Sequence, residues 1–464
     1  MTVGSQTLLI LGASGDLTGR LLLPGLGGLL AKQECEPLTL VGSGADDWNE
    51  ERWRTRVADA FATQNATGAE AEAVLKGTRY MQADVTSGDG LREVLDACHG
   101  GLVIYFALPP VVAVKACEAL VEVGLPEGTR LVMEKPFGTD AASASALNEL
   151  LARLVPEEQV FRVDHFLGMS TVLNIVGVRF ANRALALMLD GDEVEHVDIV
   201  WDESLGLEGR AGYYDWAGAL IDMFQSHLLQ VLALLTMEAP STVDARDFRD
   251  ATTQALRATR VWDGDPTRFS RRARYAAGEI DGHSVGAYEK EKGVDPERGT
   301  ETFAEVVFAV DTWRWAGVPF RVRSGKALGT PRKEAVITLK KPPWVPTGLS
   351  GDIHPNRLRI GLGFGADRLR LDLNINAPGT PSTIDPVTLE ASFGPGELPE
   401  YGEVLKGVLE GDPTLSVRGD TAVDCWRIIE PVLEAWRANE VPLGEYPAGS
   451  DGPEGWPPSG LPNV

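Results

Sequence analysis

Leu8-Leu9-Ile10-Leu11-Gly12-Ala13-Ser14-Gly15-Asp16-Leu17 reads as a buried strand, a tight turn and the start of a helix. A continuous apolar run is what a strand covered on both faces requires. Gly12 lets the backbone turn sharply. Gly15 lets a pyrophosphate approach backbone N–H groups where the helix dipole favours an anion. The spacing is G-x-x-G, short of the full G-x-G-x-x-G fingerprint, and a plain glycine turn has the same look, so the surroundings decide. Thr7–Leu11, Leu38–Gly42, Leu102–Ala107 and Arg130–Glu134 read as strands, with helix-like segments Trp48–Gln64 and Leu91–Cys98 between them. Such alternation predicts a doubly wound parallel sheet.

The expected architecture is therefore an α/β, Rossmann-like dinucleotide-binding domain over residues 1–163. Beyond it the pattern changes. An apolar helical stretch, Leu220–Met237, precedes alternating runs at Thr302–Val310, Phe320–Arg323, Ala335–Lys340, Arg357–Leu362 and Leu369–Ile375. These predict an α+β domain over 164–464 with a large, mainly antiparallel sheet. No internal repeat is visible. The Pro- and Gly-rich tail Tyr446–Val464 is expected to be poorly ordered unless it docks.

With 464 residues, 44% hydrophobic, the chain can bury a substantial core, and its formal charge of -24 argues against a nucleic-acid partner. Any site for an anionic substrate must be locally basic against that field. Cys35, Cys98, Cys117 and Cys425 are too scattered for a zinc site or a disulfide framework. His99, His196, His283 and His354 show no ligand spacing, so no metal is expected. The start of the chain lacks a signal-peptide pattern. Asp222, Gln225, Ser226, His227 and Gln230 interrupt the most apolar stretch, so no membrane span is expected. The expectation is a soluble protein of a reducing compartment, the cytoplasm.

The end of the second strand should meet an adenosine ribose. The chain there reads Val41-Gly42-Ser43-Gly44-Ala45-Asp46-Asp47. Two carboxylates repel a 2′-phosphate, while one accepts a hydrogen bond from a free 2′-hydroxyl. Equally, Asp46 and Asp47 serve as caps of the following helix. The cofactor set read from this region is Gly12, Ala13, Ser14, Gly15, Asp16, Leu17, Ser43 and Asp46, with Pro109 past the third strand.

Four further segments complete a pattern: Glu134-Lys135-Pro136-Phe137-Gly138; Arg162-Val163-Asp164-His165-Phe166-Leu167-Gly168; Gln225-Ser226-His227-Leu228-Leu229-Gln230; and Trp313-Arg314-Trp315-Ala316-Gly317-Val318-Pro319 leading to Arg323-Ser324-Gly325-Lys326. With the glycine turn, their order and spacing resemble the signature set of the glucose-6-phosphate dehydrogenases. The resemblance implies oxidation of a hexose at C1 with NAD or NADP. It makes His227 the general base and Asp164 the carboxylate that orients it, and places Lys135 between nicotinamide and sugar. His165 is implied as a 6-phosphate ligand, Glu203 and Asp222 as partners of sugar hydroxyls, and Lys326 and Arg332 as basic groups reaching the substrate. It also implies homodimers or homotetramers joined through the second domain's sheet. Read from the residues alone, a histidine in an apolar helix is more often a core residue, and Trp313 and Trp315 are structural. Asp164 and His165 are neighbours, so in an extended segment their side chains point opposite ways.

Two departures stand out. Ala45, Asp46 and Asp47 stand where NADP-using members carry a basic residue, which favours NAD. The D-H segment, which usually continues Tyr-Leu-Gly-Lys, here runs Phe166-Leu167-Gly168-Met169, so a phenol and an ammonium that bind phosphate are missing. Three readings stay open: a glucose-6-phosphate-type dehydrogenase with altered preferences, a dehydrogenase of a hexose lacking the 6-phosphate, and a weakly active homologue serving as a binding or regulatory subunit.

Overall fold

The computed structural model describes residues 6–35, 37–207, 211–363, 368–379, 381–394 and 396–454, and the counts below are of these residues. The chain forms two compact units. The first comprises Met1–Met169, Pro240–Asp250 and Gly396–Asp424; the second comprises Ser170–Ala239, Ala251–Pro395 and Cys425–Val464.

In the first unit, β1 (Gln6–Leu11), β2 (Leu38–Gly44), β3 (Arg79–Gln82), β4 (Gly101–Phe106), β5 (Arg130–Glu134) and β6 (Val160–Val163) form a parallel sheet. Its order is β6-β5-β4-β1-β2-β3, and Ser416–Val417 adds an antiparallel strand beside β6. This is the parallel α/β sheet expected, with β3 and β6 as additional strands. Leu8, Ile10, Val103, Tyr105 and Val132 pack with Leu26, Leu29 and Trp53 of the flanking helices. The order reverses between β1 and β4, so the carboxyl ends of these strands make the crevice where doubly wound sheets bind ligands.

The second unit holds an eleven-stranded, mostly antiparallel sheet. Arg332–Leu339, Val194–Asp202, Phe320–Gly325 and Phe303–Val310 lie side by side at its centre, and only the second and third of these are parallel to each other. The helical run Gly212–Thr236 is long and apolar enough to cross a membrane, but its most apolar window is 94% buried inside the protein. Its apolar residues are therefore those of a core helix. The tail docks where the structure describes it: Leu443–Pro447 pairs in parallel with Ser270–Ala276. The rest of the expected tail, 455–464, lies outside the described residues.

Candidate active site

In the first unit the glycine turn is built as its sequence demands. Gly12 has φ +89°, and a Cβ there would lie 2.1 Å from the Ala107 carbonyl oxygen. Only glycine fits against that carbonyl. The Gly12 and Ala13 N–H groups both donate to the Ser43 carbonyl, at 2.8 and 3.0 Å. Ala13 and Ser43 are fully buried, so both shape the turn rather than present side chains on its surface. Asp16 is exposed and pairs with Arg20 at 3.0 Å. Leu17 packs against the core, and Pro109 precedes the helix Pro110–Val123.

At the end of β2, Asp46 and Asp47 are exposed. The helix Glu50–Ala62 is capped by Asn49, whose side chain accepts from the Arg52 N–H at 2.8 Å. This removes the capping explanation for the two aspartates. The Arg52 guanidinium lies 4.3 Å over the Trp48 ring. Arg56 donates to the carbonyls of Ser14 and Gly15 beneath the turn.

Beyond β5 the Lys135–Pro136 peptide is cis. Glu134 accepts from the Tyr105 hydroxyl and has Tyr401 as a second hydrogen-bonding neighbour; burial pushes its carboxyl up to about 7, opposed by these phenols and by Lys135. Asp164 acts on Glu134 and Tyr401 electrostatically, so Glu134, Lys135, Asp164 and Tyr401 form one cluster. Asp164 is fully buried, and its carboxylate accepts the Phe166 N–H at 3.0 Å, capping a 3₁₀ turn His165–Gly168. The expected extended pair is thus corrected: only Asp164 is extended, because its carboxylate starts the turn. The His165 imidazole stacks on Tyr401 (centroids 5.8 Å apart, planes at 16°) and meets the edge of Phe166. A Cβ on Gly168 would lie 2.7 Å from the Glu400 carbonyl oxygen, which explains the glycine of this motif. Phe166 and Met169 are both buried. Tyr401 was not anticipated from the sequence, because no local pattern links it to segments so distant along the chain.

In the second unit His227 is buried within Leu220–Leu228, which winds as a π-helix. On an α-helix, positions 222 and 227 would be roughly 1.4 turns apart; the i→i+5 winding brings them close to one turn, and such insertions recur at functional sites. The Leu220 N–H donates to the buried Glu301 carboxylate at 2.9 Å, and burial pushes that carboxyl up to about 7. At the other end of the run, the buried Trp315 indole donates to the Thr236 carbonyl at 2.9 Å, while Trp313 is fully exposed. Only one of the two tryptophans is therefore built into the core.

Lys326 pairs with Glu203 at 2.7 Å and lies 5.1 Å over the Tyr214 ring. Asp222 helps hold the Tyr213 and Tyr214 phenols above their ordinary range, after burial. The unit thus gathers Glu203, Lys326, Tyr214 and Asp222. Arg332 pairs with Glu334 at 2.9 Å and lines a cleft of about 350 Å³ with Lys333, Arg359, Arg368 and Arg370. Among the described residues, no group of three or more His, Cys, Asp or Glu is placed to hold a metal ion.

Comparison with known proteins bears on both units. Residues 9–174 match the family described as glucose-6-phosphate dehydrogenase, NAD binding domain, and residues 176–457 match its C-terminal domain. Glucose-6-phosphate 1-dehydrogenase of Gluconobacter oxydans is 37% identical, over 96% of this chain and 94% of its own. The Treponema pallidum enzyme of that name is 35% identical, over 98% and 93%. A solved glucose-6-phosphate dehydrogenase in complex with glucose-6-phosphate superposes with a TM-score of 0.87 at 29% identity, covering 98% of this chain and 97% of that one. The Mycobacterium avium enzyme superposes at 0.83 with 31% identity, covering 97% and 96%.

Proposed function

The chain belongs to the glucose-6-phosphate dehydrogenase family, and from that premise we propose that it oxidises glucose 6-phosphate at C1 to the δ-lactone with NAD(P)⁺. The observation that carries this reading is the Glu203–Lys326 pair gathered with Tyr214 and Asp222, in a chain that keeps Lys135, Asp164, His165 and His227 in their motifs. His227 takes the C1 hydroxyl proton as a neutral imidazole, and Asp164 orients it and offsets the developing imidazolium charge. Lys135 acts between nicotinamide and sugar. Glu203 and Asp222 bind sugar hydroxyls, and His165, Lys326 and Arg332 supply positive charge toward the phosphate. Bound at the Gly12 turn, the dinucleotide supplies the hydride acceptor.

NAD serves at least as well as NADP on this reading. Ala45, Asp46 and Asp47 offer a 2′-phosphate no cation, and the two nearest arginines are engaged on Trp48 and on the turn carbonyls. The apolar Phe166 and Met169 favour a second reading, in which a hexose without the 6-phosphate is also accepted. Leu389 and Ile375, half-exposed on the outer strands of the second unit's sheet, support a homodimer or homotetramer formed through that sheet. The chain is assigned to the cytoplasm; Cys35, Cys98, Cys117 and Cys425 form no disulfide with one another.

The test is kcat/KM for glucose and glucose 6-phosphate with each cofactor. Turnover of glucose 6-phosphate with NAD at least as efficient as with NADP is expected, and a kcat/KM for NADP more than about tenfold higher overturns it; tenfold corresponds to about 1.4 kcal/mol. No turnover of either sugar returns the chain to the class of binding or regulatory homologues. A strong preference for unphosphorylated glucose selects the second reading.

A further inference from the structure

Ala327, next to Lys326, has φ +53°. A non-glycine residue in the left-handed region is strained, and such strain persists only where surrounding bonds over-determine it. Here the bonds come from two directions. The Ala327 and Leu328 N–H groups donate to the carbonyls of Leu205 and Glu203 at 3.0 and 2.9 Å, and the Glu203 N–H donates to Gly325 at 2.8 Å. This links the backbone of Lys326 to that of its ion-pair partner. From the other side the carboxy-terminal strap closes on the same loop. The Tyr446 hydroxyl donates to the Lys326 carbonyl at 2.6 Å, Gly449 N–H donates to Ala327 at 2.8 Å, and Gly329 N–H donates to Ser450 at 2.9 Å. The phenol also lies 2.9 Å from the Thr302 hydroxyl, and the Thr302 carbonyl accepts the Lys326 N–H at 3.0 Å. Tyr446 is 1% exposed and Ala327 fully buried, so water offers these groups no substitute bonds.

We propose that Tyr446 is a positioning residue for sugar binding: its hydroxyl, with the strap through Ser450, holds the strained Lys326–Ala327 backbone so that Lys326 and Glu203 stay paired and presented to the substrate. The proposal rests on the reading of Lys326 and Glu203 as sugar-phosphate ligands. Tyr446→Phe keeps the ring and its packing on Phe303 but removes the donor from a buried carbonyl. Without that bond the Ala327 backbone relaxes toward negative φ and the lysine loses its fixed origin.

The experiment uses the full chain, with Lys326→Ala as the reference variant. Tyr446→Phe is expected to raise KM for glucose 6-phosphate roughly tenfold, the loss typical of a buried hydrogen bond, with kcat and the dinucleotide KM within about twofold of the parent. Adding Ala327→Gly, which adopts positive φ without strain, is expected to recover most of that loss. Hydrogen exchange at residues 326–329 is expected to quicken in Tyr446→Phe and not elsewhere, a readout that stands even where activity is low. An unchanged sugar KM in Tyr446→Phe, with Lys326→Ala impaired, overturns the proposal. So does an equal rise in both KM values, or a failure of Ala327→Gly to rescue. If Lys326→Ala itself leaves the sugar KM unchanged, the underlying reading fails instead.

Discussion

The two sheets distribute charge differently. In the first unit, β1 and β4 carry no charged residue, the fully buried Arg162 on β6 is held by Glu157 at 2.7 Å, and Glu134, Lys135 and Asp164 lie at and beyond the carboxyl ends. In the second, His196, Asp198, Asp202 and Glu305 lie buried on the central strands themselves. Arg321 reaches Asp198 at 2.7 Å and Glu305 at 3.5 Å, Arg271 reaches Glu305 at 2.6 Å, and Arg323 reaches Asp202 at 2.8 Å. Burial lowers the His196 imidazole from its ordinary range more than Asp198 restores it. Charge in mid-sheet that closes on its own partners is structure. A buried titratable group is therefore informative only together with what neutralises it.

The largest expected effect tests whether chemistry and cofactor binding separate between the two units. His227→Asn should lower kcat by roughly 10²–10⁴-fold while dinucleotide affinity, read by fluorescence titration, stays within about twofold. Turnover within about threefold of the parent would remove His227 as the base.

Next comes the mid-sheet charge. Arg321→Met leaves the buried Asp198 without its closest cation and should cost about 3–5 kcal/mol in denaturant unfolding, most of it recovered when Asp198→Leu is added. A single variant as stable as the parent would show that the pair is not what permits charge in that sheet.

The strand-end charge is tested by pH. Burial raises the Glu134 carboxyl from 4.5 to about 7. Below pH 4.5 both folded and unfolded states hold the proton. Between 4.5 and 7 only the folded state does, so stability falls as pH rises through that window and levels off above it, by about 3 kcal/mol in all. Glu134→Gln should flatten this component, and parallel stability–pH curves for parent and variant would contradict it.

The smallest expected effect concerns the proposed phosphate site at Met169. Met169→Lys should raise kcat/KM for glucose 6-phosphate over glucose by about ten- to a hundredfold, the worth of one charged hydrogen bond. An unmoved ratio means another cation already fills that role.

Apolar runs and clean alternations are readable in advance, including Thr302–Val310, Phe320–Arg323 and Ala335–Lys340 of the second sheet, whereas two strands rich in charge are not. Thr7–Leu11, Leu102–Ala107 and Arg130–Glu134 were recovered because an apolar run between helices has one stable destination. Val194–Asp202, at the centre of the second sheet, escaped notice because V-E-H-V-D-I-V-W-D reads as too polar for a core strand until Arg321 and Arg323 are seen beside it. Ser270–Ala276 escaped for the same reason, since its Arg271 is neutralised by Glu305 on the neighbouring strand.

By itself the sequence determined the class of the first unit, the glycine turn and the residue types available for chemistry, since these rest on local periodicity, local sterics and short motifs. Only the tertiary structure decided that Asn49 rather than Asp46 or Asp47 caps the helix after β2, and that Tyr401 stacks on His165. It likewise decided that Leu220–Leu228 winds as a π-helix and that Tyr446 reaches back to the Lys326 carbonyl. Each of these depends on which of several equivalent donors, rings or windings is satisfied, and that choice is made by partners far away in the chain, through burial that no local pattern encodes.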